Sequence, residues 1–196
     1  REAARRRTVL SLPMPRPFGL MALDTARRVG HAYCFPGEPP IFGSFATGRP
    51  GSDVGTQLVA FRRWFVGKLD ELQPRHVWYL RPIRTQFDNT NRLERLFGFA
   101  TIIRVETLDR GLSCESAEDA TVIGFFTGRS RWGTEDMKAS DRRAAKKDAT
   151  MKMCERMGWP VDQDNDAADS LALLSYAEHK LAPKLAATRG LVLRAG

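Results

Sequence analysis

Three aspartates occupy positions from which a carboxylate could bind a divalent cation. Asp24 lies inside a short apolar run, Gly19–Ala26, where an unpaired charge is costly and needs a specific partner. Asp166 and Asp169 are three residues apart, which places both carboxylates on one helix face about one turn apart. Two such carboxylates repel each other. Mg²⁺, which binds a few carboxylates together with substrate phosphate oxygens, would relieve that repulsion.

Each of these aspartates also has a structural explanation. Arg27 and Arg28 follow Asp24 closely and could neutralise it. Asp166 and Asp169 could cap the free amides of a first helical turn and complement the helix dipole. Taken singly, each residue is compatible with both interpretations.

The segments around these residues predict an α/β domain with a mixed sheet. The predicted strands are Gly19–Ala26, a hairpin formed by His31–Phe35 and Ile41–Phe45, then Val77–Leu80 and Leu112–Ser116. The predicted helices are one that ends before Pro74, one over Leu93–Ile103, a short one that ends at Gly128, a basic one over Ala139–Met157 and a last one over Asp166–His179. The hairpin precedes the first crossover, which is why we expect a mixed sheet and not a parallel one.

The composition favours a polyanionic partner. The chain has 196 residues, a formal net charge of +8 and 31 basic residues, most of them arginine. Arginine stays charged at any relevant pH and presents a planar set of donors that suits phosphate. A basic balance of this size therefore indicates nucleic acid as the simplest partner, with a solvated basic surface as the alternative.

The length and the ends of the sequence predict one folded domain with two extensions. Residues 1–17 are basic and interrupted by prolines, which predicts a flexible arm that could touch phosphate. Residues 18–182 would form the domain, and residues 183–196 a tail. Cys34, Cys114 and Cys154 have no metal-site or disulfide spacing, and no apolar run approaches the ~20 residues of a membrane span. We therefore expect no membrane association and a cytoplasmic location.

Two segments resemble RuvC-type Holliday junction resolvases, and in particular their phage and prophage branch. Residues 21–26 (MALDTA) with Gly30-His31-Ala32 are similar to the first strand and turn of that family. Residues 166–173 (DAADSLAL) are similar to its closing aspartate helix. The segments between them follow in matching order, so the resemblance covers roughly residues 19–177.

The resemblance implies an RNase H-like, five-stranded mixed sheet flanked by helices, in a homodimer that acts on four-way or otherwise branched DNA. It also implies two Mg²⁺ or Mn²⁺ ions that support phosphodiester hydrolysis. Carried over to this sequence, Asp24, Asp166 and Asp169 would be the catalytic metal ligands. The expected setting is the cytoplasm of a bacterial or phage-infected cell.

One position departs from the family pattern. The family has a glutamate on the fourth strand beside the first-strand aspartate, and the matching position here holds Leu80. Leucine cannot bind a metal ion. Three explanations stay open: a shifted register, another acid such as Asp88 or Asp164 in its place, or a scaffold that binds branched DNA with weak or no cleavage.

Basic and aromatic residues outline a predicted DNA surface. Arg81 and Arg84, in the loop after the fourth strand, could contact phosphate, and Phe87 could stack on an exposed base, although a packed loop aromatic is the alternative. The basic helix carries four more candidates, whose alternative is simple solvation: Arg142, Arg143, Lys146 and Lys147. Contacts of this kind position DNA and carry no sequence information.

Overall fold

The computed structural model describes residues 19–26, 28–35, 38–84, 89–129, 131–133 and 136–183. The predicted arm, Phe87, and all of the predicted tail except Pro183 lie outside these ranges. The strands are β1 (Leu20–Thr25), β2 (Arg28–Cys34), β3 (Ile41–Ala46), β4 (His76–Leu80) and β5 (Ser113–Ala117). The helices are α1 (Val54–Leu72), α2 (Thr90–Asp109), α3 (Asp119–Thr127), α4 (Ala139–Arg156) and α5 (Asn165–Leu181).

The strands form the predicted five-stranded mixed sheet, in the order β3-β2-β1-β4-β5. The first three strands make an antiparallel meander, and β4 and β5 then join β1 in parallel. The sequence placed the start of β2 at His31, but the strand begins at Arg28, because Val29 and Gly30 already pair with the end of β1 and Arg28 pairs with Ala46 of β3. A second boundary also differs: β5 extends through Ala117, one residue beyond the predicted strand, and α3 starts at Asp119.

Alternation along β1 assigns its side chains to two cores. Met21 and Leu23 belong to the apolar cluster under α1 and α2. Leu20 and Ala22 belong to the cluster under α3, α4 and α5. Because successive side chains of a strand point to opposite faces, Asp24 lies on the face covered by α5.

The apolar stripe of α1 packs as its spacing predicts. Phe61, Phe65 and Leu69 are buried, and Leu58 and Leu72 pack against the same cluster at its margin. Asp53 caps the helix by accepting a hydrogen bond from the Thr56 amide at 2.9 Å.

Helix α5 is the most buried helix of the α3–α5 layer. Its apolar residues Leu171, Leu173 and Leu174 are fully buried, and its first turn lies against β2. At Gly30 an added Cβ would lie 1.8 Å from the carbonyl oxygen of Asp166 and 2.4 Å from its carbonyl carbon. The helix can approach the strand this closely only because residue 30 has no side chain.

Substitution of Gly30 tests this close approach. Gly30→Ala should lower the free energy of unfolding by roughly 1–3 kcal/mol, because the new methyl group meets backbone atoms of α5 that cannot rotate away. Urea denaturation measures the effect.

Gly67→Ala is the matched control, since Gly67 is exposed within α1 and an added Cβ meets nothing within 4 Å. That substitution should stabilise the protein by about 0.5–1 kcal/mol through helix propensity. Equal effects of the two alanines would contradict the packing argument.

Candidate active site

Asp24 lies near the carboxyl end of β1, at the centre of the sheet. Its neighbour on β2 is Gly30. On the other side, Leu23 pairs with Tyr79 of β4, so the next position along β4, Leu80, lies beside Asp24. The strand register places Leu80 next to the first-strand aspartate, and the replacement of a family glutamate at this position stays a prediction.

Asp166 and Asp169 lie in the first two turns of α5, over Gly30 and hence next to Asp24. The small residues Ala167 and Ala168 are buried beneath the helix start. The three aspartates predicted from the sequence are thus brought to one edge of the sheet, where their carboxylates interact electrostatically. Their role as metal ligands stays a prediction.

The carboxylates in this group hold protons more tightly than ordinary ones. Burial, followed by the charges of Asp169 and Asp166, raises the pKa of Asp24 well above its usual value. Burial and the charge of Asp119 raise the pKa of Asp169 to about 7. For Asp166, burial and the charge of Asp164 also raise the pKa. In each case desolvation of the charged form is the largest cause.

The carboxylates of Asp24 and Asp169 have no close partner of opposite charge among the described residues. Within the described part of the chain, neither Asp24 nor Asp169 forms a hydrogen bond or an ion pair, and only the more distant charge of Lys146 favours ionisation of both. Asp166 lies 3.6 Å from the Arg28 guanidinium. Asp24 and Asp169 are only partly exposed, and partly buried carboxylates without a partner are costly and mark a place where a cation would be bound favourably.

Asp164 has a different task. Its carboxylate caps α5 by accepting from the Ala167 amide at 3.1 Å and also accepts from the Ser44 hydroxyl at 2.6 Å. Arg28 lies 3.1 Å away. Burial alone would raise the pKa of Asp164, but these interactions outweigh it and lower the pKa. Asp164 therefore ties α5 to the outer strands, and it is a poor substitute for the missing acid; Asp88, the other candidate, lies outside the described residues.

Sequence reasoning missed Asp119, the first residue of α3. An acid at that place looks like an ordinary first-turn residue that complements the helix dipole. In the structure its carboxylate contacts the Lys146 ammonium of α4 and is the leading neighbouring charge acting on Asp169. Only the long-range packing of α3 and α4 reveals this proximity.

The predicted DNA contacts divide into two groups. Lys146 and Lys147 reach the carboxylates: Lys146 binds Asp119, and Lys147 favours ionisation of Asp166 and Asp169. The others lie farther out on the surface. Arg142 and Arg143 are exposed on α4, and Arg84 is exposed after β4.

Arg81 is exposed but already has local partners. Its guanidinium lies 3.6 Å from the Glu118 carboxylate and donates a long, 3.5 Å hydrogen bond to the Ser116 hydroxyl. These contacts are solvated and weak, so they do not exclude a phosphate contact.

The donor set suits a hard cation, although it does not form a closed cage. Among the described residues, no three histidine, cysteine, aspartate or glutamate side chains form a group that could hold a metal ion by themselves. Mg²⁺ commonly takes one or two carboxylates and completes its shell with water and substrate phosphate. An open groove of about 550 Å³, lined by residues that include Arg28, Lys147 and Asp166 but not Asp24 or Asp169, lies at the start of α5 and leaves room for such a substrate.

The solved structure of RuvC from Thermus thermophilus has the same architecture, with a TM-score of 0.59 and 10% identity over 84% of this chain and 96% of that one. The structure of T. thermophilus RuvC in complex with a Holliday junction substrate also has it, with a TM-score of 0.57 and 8% identity over 84% of this chain and 96% of that one. The chain has the RNase H-like fold of RuvC. The yeast mitochondrial Holliday junction resolvase Ydc2 is also similar in structure, with a TM-score of 0.52 and 10% identity over 91% of this chain and 86% of that one.

Comparison of the sequence with known families and curated proteins finds no match. None of the described helices is long and apolar enough to cross a membrane.

The raised pKa of Asp169 predicts a dependence of stability on pH. The pKa of an aspartate in an unfolded chain is about 4, whereas that of Asp169 is about 7 in the folded protein. The folded state therefore binds more protons between these values, and its stability falls as the pH rises through them. In EDTA at about pH 8, Asp169→Asn should raise the free energy of unfolding by on the order of 2 kcal/mol, with the difference vanishing below about pH 4.

Denaturant titrations over this pH range measure the effect. Asp148→Asn is the control, because Asp148 is exposed on α4 and pairs only with Lys152 at 2.8 Å. It should change the stability by less than about 0.5 kcal/mol at any pH. A loss of stability in Asp169→Asn at about pH 8 would contradict the repulsion inferred for this group.

Proposed function

We propose that this protein is a metal-dependent endonuclease that cleaves branched DNA, with four-way junctions as its substrate class. The observation that supports the proposal is the convergence of Asp24, Asp166 and Asp169, from opposite ends of the chain, on one edge of a RuvC fold. A structural role would give such carboxylates partners, and Asp24 and Asp169 have none among the described residues.

Different residues of the chain would have different roles in hydrolysis. Bound Mg²⁺ or Mn²⁺, in a pair, would activate the attacking water and stabilise the leaving oxygen of the phosphodiester. Asp24 would bind from the sheet, and Asp166 and Asp169 from the helix above it. Lys147, at the groove, would contact a phosphate oxygen. Gly30 and Asp164 hold the helix at the distance this arrangement requires.

The surroundings of the site fit a duplex backbone. Arg142 and Arg143 on α4 extend the positive charge of Lys147 away from the carboxylates, and Arg81 and Arg84 lie at the same sheet edge, after β4. One neighbour in fold is described as RuvC in complex with a Holliday junction substrate, which supports branched DNA as the partner. A homodimer, which would present two such sites to one junction, is part of the proposal, and the phage or prophage branch stays a prediction.

A second candidate function is branched-DNA binding without cleavage. It is favoured by Leu80, which is buried at the position where the family resemblance leads us to expect an acid. This candidate predicts binding of four-way DNA with no product at any metal concentration, and activity only after Leu80→Glu.

A cleavage assay separates the two candidates. A synthetic four-way junction incubated with the protein and Mn²⁺ should yield nicked products, and Asp24→Asn should reduce the rate at least about 100-fold, because a ligand of the reaction centre is removed. Asp148→Asn, the exposed control, should cleave at the normal rate. Products of equal yield from Asp24→Asn would refute the site assignment, and binding without product from the unaltered protein would favour the second candidate.

The basic face of α4 is tested by the salt dependence of binding. The double variant Arg142→Ala, Arg143→Ala should bind four-way DNA more weakly. The slope of the logarithm of its binding constant against the logarithm of the salt concentration should become shallower by roughly one unit for each arginine that no longer binds a phosphate. Fluorescence anisotropy in EDTA measures both quantities.

The matched control removes two exposed arginines from the opposite layer, Arg63 on α1 and Arg104 on α2. Both double variants remove the same net charge, so a general electrostatic effect would appear in both. If the two double variants behave alike, the α4 face does not bind the DNA.

A further inference from the structure

The carboxyl end of β5 lies at the same sheet edge as Asp24. Strand β5 runs parallel to β4, and Ala117 pairs with Leu80. Asp119 follows Ala117 by two residues and begins α3. Asp119 is therefore one strand farther from Asp24 than Leu80 is, and it stands at the point where the chain leaves the sheet.

The position of Leu80 itself is closed to a ligand. Leu80 is only 7% exposed and belongs to the same apolar cluster as Ala117, Val122 and Ile123. The strand end next to Asp24 thus contributes to the core under α3. Among the described residues, the neighbouring strand end, that of β5, leads to a carboxylate at the same edge of the sheet, Asp119.

Lys146 connects Asp119 to the other carboxylates. Its ammonium forms an ion pair with Asp119 between α3 and α4, and both side chains are partly buried. The same ammonium is close enough to Asp24 and Asp169 to favour the ionised form of both. Asp119, Asp24 and Asp169 therefore all interact electrostatically with one ammonium group, and that group forms its ion pair with Asp119.

The mostly buried side chain of Asp169 is the second observation at this place. It faces the group with no hydrogen bond or ion pair of its own among the described residues. Burial and the neighbouring carboxylates raise the pKa of Asp169 and the pKa of Asp24, so their charged forms are disfavoured in the metal-free protein. A divalent cation would relieve that repulsion.

We propose that Asp119 supplies the fourth carboxylate of the metal site, in place of the acid that Leu80 excludes from β4. The inference rests on the proposed nuclease function and deepens it. Lys146 holds the Asp119 carboxylate in position through their ion pair, and Asp119 would hold the cation together with Asp24, Asp166 and Asp169.

Direct measurement of metal binding tests the assignment. Mn²⁺ is titrated into the full chain without DNA, and bound ion is followed by electron paramagnetic resonance and calorimetry. Asp119→Asn should weaken Mn²⁺ binding by about 10–100-fold, whereas Asp119→Glu, which keeps the carboxylate, should stay within a few-fold of the unaltered chain. Asp148→Asn removes the acid of an exposed ion pair on the same helix as Lys146, the pair Asp148–Lys152 of α4, and should bind Mn²⁺ normally.

The outcomes distinguish this inference from the function on which it rests. Normal Mn²⁺ affinity in Asp119→Asn, with the unaltered chain binding Mn²⁺ and cleaving junctions, would overturn the role of Asp119 and leave the nuclease intact. Equal loss in the Asn and Glu variants would assign Asp119 to packing and overturn the inference as well. A chain that neither binds Mn²⁺ nor cleaves DNA would overturn both proposals.

Discussion

The contact between the first turn of α5 and β2 is the constraint on which the site depends. Gly30 lies directly beside Asp24, and the absence of its side chain lets the backbone of Asp166 approach the sheet. Any other residue would lift the helix and draw its carboxylates away from the strand. Asp164 secures the same contact from the outside through Ser44 and Arg28. A short-range steric condition therefore decides whether residues distant in the sequence can act together.

The same contact brings several carboxylates close together. Their repulsion destabilises the fold, whereas the proposed chemistry needs them near one another. Desolvation and mutual repulsion raise the pKa values of Asp24 and Asp169, which means that the ionised group destabilises the metal-free protein. The apolar packing of α5, with Leu171, Leu173 and Leu174 fully buried, compensates for that repulsion. A bound cation would turn the same carboxylates into a stabilising feature.

Much of the fold could be predicted from the sequence because its signals are local. The spacing of Phe61, Phe65 and Leu69 defined α1, and the single acid in an apolar run marked Asp24 as unusual before its surroundings were known. Asp119 could not be identified in this way. Its partner Lys146 and its neighbour Asp169 are set by the packing of three helices, and no local pattern encodes which first-turn acid faces the sheet edge.

The position of α5 in the chain has a consequence for protein synthesis. The meander β1–β3 leaves the ribosome early, yet the helix that covers one of its faces is made last among the described elements. Until α5 docks, the layer that covers Leu20 and Ala22 is incomplete, and the emerging chain presents an apolar sheet surface. Docking must also close a loop that contains most of the domain, which makes it a slow, late step of folding. The proposed site therefore cannot assemble before the last helix is in place.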